Sequence, residues 1–130
     1  MKILIVDDHA QIRSDLQNAL VEQFGPKISV IVARDGNEGL SLYERNPDIG
    51  VMLLDVMMPG STGEEVLRKI RAAEEKNKRN TRVFMISNAG EPYARKCLDL
   101  GIEGWLMKPL NVAMISGFLG DYFRKNELIN

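Results

Sequence analysis

The sequence predicts an α/β fold: a doubly wound, five-stranded parallel sheet with five helices. Two observations carry this. Short apolar runs alternate five times with longer stretches of helical period. The runs are nearly continuous rather than alternating, which suits strands buried on both faces. Right-handed crossovers with short loops then wind the chain into an open sheet covered by helices on both sides.

The elements follow in order. Ile-Leu-Ile-Val at 3–6 is the first strand, and Ile12, Leu16, Ala19 and Leu20 mark an amphipathic helix after it. Residues 28–32 form the second strand. Asp35-x-x-Glu38 then fits a capping box, as does Thr62-x-x-Glu65 ahead of Val66, Ile70 and Ala73 in the third helix. The third strand is 51–54 and the fourth 83–86, with the polar stretch 74–82 expected to end the third helix in an exposed loop. Pro92 opens and Gly101 closes the fourth helix, which carries Tyr93 and Cys97. Residues 105–107 make a weaker fifth strand, and Ile115, Phe118, Leu119 and Tyr122 a fifth helix.

A chain of 130 residues fits one domain, expected to span 1–130. Hydrophobic residues make up 45% and charged residues 27%, which excludes disorder and low complexity. Seventeen basic residues against eighteen acidic ones exclude a strongly basic nucleic-acid binder. The lone cysteine, Cys97, forms no internal disulfide and fits a reducing compartment. No apolar run reaches the roughly 18 residues of a membrane span. Asp7 and Asp8 interrupt the N-terminal run too early for a signal peptide. A cytoplasmic location is the expectation.

The chemistry lies at the strand ends. The first strand runs into Asp7-Asp8, the third into Asp55, the fourth into Ser87 and the fifth into Lys108-Pro109. Ligands of open α/β sheets bind beyond the carboxyl ends of the strands, so these groups converge. Two unit charges ~4 Å apart repel by about 4 kcal/mol at an effective dielectric near 20, so three carboxylates need compensation. Lys108 and one divalent cation bring the formal sum to zero. Oxygen ligands favour Mg2+, and with His9 the only histidine a zinc site is disfavoured. A carboxylate beside Mg2+, a lysine and a hydroxyl suits phosphoryl transfer, with Asp55 as nucleophile.

These residues resemble the receiver domain of two-component response regulators, the CheY-like family. The resemblance rests on Ile3-Leu4-Ile5-Val6-Asp7-Asp8, on Asp55-Val56-Met57-Met58-Pro59 with Gly63, on Ile86-Ser87 and on Lys108-Pro109-Leu110. It covers essentially the whole chain. It implies a flavodoxin-like sheet of order 2-1-3-4-5. It implies Asp55 as phosphoacceptor; Asp7, Asp8, Asp55 and the Met57 carbonyl as Mg2+ ligands; and Ser87 as the hydroxyl that moves to the phosphoryl group. Lys108 is then the residue that holds a phosphoryl oxygen, followed by a cis Pro109. Phosphate would come from a sensor histidine kinase or a histidine phosphotransfer protein. Output would pass through the face of the fourth helix, fifth strand and fifth helix to an output domain or partner. The protein would be a monomer or weak dimer with no direct nucleic-acid contact, catalysing only its own phosphorylation and dephosphorylation.

Three positions are particular to this chain. Trp105 stands three residues before Lys108, where the family often has the smaller Tyr or Phe as its switch aromatic. Met57 and Ala89, two residues after Asp55 and Ser87, cannot orient an attacking water, so slow self-dephosphorylation is expected. A haloacid-dehalogenase-type phosphatase would need a second Asp two residues after its nucleophile, where this chain has His9 or Met57. A flavin or nucleotide carrier would need a Gly/Ser/Thr-rich cradle after the first strand, where Asp7-Asp8-His9 stands instead. A scaffold that takes no phosphate is the remaining alternative.

Overall fold

The computed structural model describes residues 1–88 and 94–129; the expectations at Ala89, Pro92 and Tyr93 lie outside the described residues. The main sheet has five parallel strands: β1 (Lys2–Val6), β2 (Ser29–Ala33), β3 (Ile49–Asp55), β6 (Arg82–Ser87) and β7 (Gly104–Met107). Their order is β2-β1-β3-β6-β7, which is the expected 2-1-3-4-5 once a small hairpin is set aside. That hairpin, β4 (Met57–Met58) with β5 (Ser61–Thr62), was not foreseen. Pro59 and Gly60 fill its two central turn positions, with Gly60 at φ +79° as a Pro-Gly type II turn requires.

The helices are α1 (Ala10–Phe24), α2 (Gly36–Arg45), α3 (Gly63–Asn77), α4 (Ala94–Leu100) and α5 (Val112–Lys125). Period-two alternation sorts the sheet's side chains into two cores. Ile3, Ile5, Val51, Leu53, Phe84 and Ile86 pack with Leu16 and Leu20 of α1 and Leu119 and Phe123 of α5. Leu4, Val6, Met52, Leu54, Val83 and Met85 pack with Tyr43 of α2, Val66 and Ile70 of α3 and Cys97 of α4. Both faces of the three central strands are therefore dry, as the continuous apolar runs require. The edge strands β2 and β7 stay partly exposed.

Both expected N-caps form. Asp35 accepts from the Glu38 N–H at 2.8 Å, and Thr62 Oγ1 accepts from the Glu65 N–H at 3.2 Å. As expected, the stretch 74–82 ends α3 at Asn77 and continues in a short loop with Lys78 and Asn80 exposed, but the end of that loop is tied to the fold. Thr81 is buried, its N–H donates to Glu74 at 2.8 Å, and Arg79 lies 3.6 Å from the Tyr43 ring centroid while donating to the Tyr43 and Asn46 carbonyls. Arg79 and Glu74 are thus spent on neighbouring backbone, whereas Glu75, Lys76 and Lys78 face solvent.

Candidate phosphoacceptor and cation site

Continuing the alternation past the strand ends predicts which side chains meet. Asp7 has the parity of Ile3 and Ile5, Asp55 that of Val51 and Leu53, and Lys108 that of Leu106, so all three share the α1/α5 side. Lys108 Nζ indeed lies 3.4 Å from both Asp55 oxygens and 4.0 Å from Asp7 Oδ2. Asp7 and Asp55 are 0% and 2% exposed. The Lys108–Pro109 bond is cis. Met57, on β4, points its side chain to solvent while its N–H reaches Asp55 Oδ1 at 3.4 Å.

Gly63 closes the floor. Its N–H donates to the Val56 carbonyl at 2.7 Å, and a Cβ there would collide with the Asp55 carbonyl oxygen. The hairpin and the start of α3 therefore press directly on the Asp55 backbone.

Ser87 has the opposite parity, that of Val83 and Met85 on the α4 side. It lies one residue beyond Ile86, the register partner of Asp55. Its hydroxyl donates to the Asn88 carbonyl at 2.8 Å, not to Asp55. Trp105 packs on that same α4-side core, with its backbone opposite Met85 in register. Beyond it, on the outer edge, Trp105, Met107, Pro109, Met114, Ile115 and Phe118 line an apolar groove of about 450 Å³.

The electrostatics follow from burial. Desolvation first, then the Asp7 charge, pushes the Asp55 carboxyl up to about 7, against the pull of Lys108. Asp7 Oδ2 and Asp8 Oδ1 are buried with no hydrogen-bond partner. Buried anionic oxygens without donors are costly, and a divalent cation satisfies them, so the donor set fits Mg2+. Asp8 does not cap α1; that place is taken by His9, which makes no side-chain cap bond. His9 lies exposed at the rim of the pocket, with its Nδ1 3.0 Å from Asp7 Oδ1 and 3.3 Å from Asp8 Oδ1. Arg13 was missed. It donates to the Asp7 carbonyl at 2.7 Å and ties α1 to the end of β1; its spacing six residues after Asp7 carried no signal.

The structure is an open parallel sheet with an aspartate-lysine pocket at the carboxyl ends of its strands, where ligands of such sheets bind. The response regulator receiver domain model matches residues 3–117, and the chain belongs to that family. It is 38% identical over 111 residues to the transcriptional regulatory protein CpxR of Escherichia coli K12, covering 85% of this chain but 44% of that protein. The chain thus spans less than half the length of that relative. It is 29% identical over 121 residues to a chemotaxis protein CheY homolog of Campylobacter jejuni, covering 93% of this chain and 91% of the other. The structure of Vibrio cholerae CheY4 superposes with a TM-score of 0.78 at 28% identity, covering 92% and 96% of the two chains. Receiver domains serve two-component systems, in which phosphorylation switches their interactions and an acidic pocket binds Mg2+. Among the described residues no helix is long and apolar enough to cross a membrane.

Proposed function

We propose that this chain is a phosphorylation-controlled switch whose acceptor is Asp55. The observation that carries the reading is the buried Asp55 carboxylate, with both oxygens 3.4 Å from Lys108 Nζ and Asp7 alongside. An Asp55 oxygen attacks the phosphorus of a phosphohistidine donor. The donor's P–N bond breaks and its electron pair leaves on the imidazole nitrogen. Lys108 stays beside the new acyl phosphate and holds a phosphoryl oxygen. Asp7 and Asp8, with Asp55 and the Met57 carbonyl, would hold Mg2+, which supplies charge neutralisation for the transferring group. Ser87 then exchanges the Asn88 carbonyl for a phosphoryl oxygen. The chain catalyses this self-modification and its reversal, and no metabolic reaction.

The donor is a sensor histidine kinase or a histidine phosphotransfer protein in the cytoplasm. The readout face is the apolar groove along β7 and α5 together with α4, and it meets an output domain or partner rather than nucleic acid or membrane. The protein works as a monomer or weak dimer. Intact-protein mass after incubation with Mg2+ and acetyl phosphate tests the acceptor. One Mg2+-dependent phosphoryl adduct, absent from Asp55→Ala, is expected. No adduct, together with failure to bind Mg2+, would mean a scaffold that takes no phosphate.

A further inference from the structure

The His9 ring enters the acidic pocket, where its Nδ1 is within hydrogen-bond distance of Asp7 Oδ1 at 3.0 Å. One ligand atom each from Asp7, Asp8, His9 and Asp55 lie within 4.8 Å of one another. The Asp7 Oδ1 nearest the ring already accepts the His9 backbone N–H at 2.8 Å, so the imidazole is not needed to satisfy it. The ring nitrogen stands instead between two carboxylates, 3.0 Å from one and 3.3 Å from the other. The second Asp7 oxygen and Asp8 Oδ1 are buried without hydrogen-bond partners. The His9 side chain is 57% exposed, so its ring has room to turn without disturbing the core.

The geometry points to His9 as a nitrogen donor of this cation centre, one that strengthens the binding of borderline divalent cations such as Mn2+ and Co2+ and leaves Mg2+ binding little changed. This rests on the pocket being a cation site and adds a ligand to it. Mg2+ prefers oxygen and gains little from an imidazole. The affinity of a mixed nitrogen-oxygen site rises from Mn2+ to Co2+ and Ni2+.

The test is titration calorimetry of the untagged, chelator-treated chain with MgCl2 and with CoCl2, alongside pulsed electron paramagnetic resonance of the Mn2+-loaded chain. His9 is the only histidine, so imidazole nitrogen modulation on Mn2+ has a single source. His9→Ala is expected to weaken Co2+ binding about tenfold, in the range of lost ligand support, while Mg2+ binding stays within about twofold. The nitrogen modulation should vanish. His9→Asn, which keeps a hydrogen-bond donor, should not restore Co2+ affinity; if it does, the ring is a hydrogen-bond partner of the carboxylates and the inference fails. Equal Co2+ affinity in wild type and His9→Ala, with Mg2+ still bound, overturns the role of His9 alone. Binding of neither cation overturns both this role and the cation site.

Discussion

At pH 7 the Asp55 carboxyl stands near its own midpoint, raised to about 7 by burial and by Asp7 while Lys108 pulls the other way. The unfolded chain ionises Asp55 in the ordinary carboxylate range, so between that range and about 7 the folded state holds the extra proton. Stability of the metal-free protein therefore falls as pH rises through this window. Asp55→Asn removes the penalty. In chelator at pH 8 it should raise stability by about 1–2 kcal/mol, discounted for solvent reaching the pocket, and the gain should fade by pH 4. Thermal melts at the two pH values check this; an equal gain at both would show that charge is not the cause. Lys108→Ala removes the cation beside Asp55 and should slow phosphorylation by acetyl phosphate about 100-fold, as when a single oxyanion donor is lost. Quantifying the adduct by intact mass against time decides it. Asp7, Asp55 and Lys108 were legible in sequence because each directly follows an apolar run. The engagement of His9 was not, since a residue next to two aspartates gives no clue to where its ring turns.

The β4–β5 hairpin and the start of α3 act as one clamp on the backbone at Asp55 and Val56. Thr62 ends the hairpin, caps α3 and precedes Gly63, whose missing Cβ lets the helix sit on the Asp55 carbonyl. Gly63→Ala must push α3 or β3 aside, and overpacking of this kind costs about 1–3 kcal/mol. Thr62→Ala loses only the cap, about 1 kcal/mol. Urea midpoints of the two variants should therefore rank Gly63→Ala as the more destabilised, and phosphorylation should slow in Gly63→Ala alone, because only that change displaces the Asp55 backbone. The two caps were legible because Asp35 and Thr62 carry their Glu partners three residues on. The hairpin was not, because two-residue strands have no period to detect. The contacts of the loop after α3 were not legible for a related reason: Arg79 and Glu74 look like solvated charges in sequence, and only the fold brings backbone carbonyls from the end of α2 to Arg79.

The sheet divides the molecule's labour between its two sides. Asp7, Asp55 and Lys108 share the α1/α5 side, whereas Ser87 and Trp105 belong to the α4 side, on adjacent strands. On the proposed function a signal from Asp55 therefore has to cross the sheet, with Ser87 as its carrier. Its hydroxyl rests on the Asn88 carbonyl at 2.8 Å and has to leave that partner to meet a phosphoryl oxygen. Movement of β6 at this point reaches Trp105, whose strand pairs with it from Phe84 to Ser87. Trp105 is the only tryptophan, it is half-buried, and it also lines the apolar groove toward Met114 and Phe118. Phosphorylation should consequently change the emission of this indole with the same time course as adduct formation. In Ser87→Ala the adduct should still form, because the hydroxyl is not the nucleophile, but the emission change should be largely lost. An unchanged wild-type emission at full phosphorylation would mean that the larger indole does not move with the acceptor. An undiminished change in Ser87→Ala would mean that the signal crosses the sheet by another route.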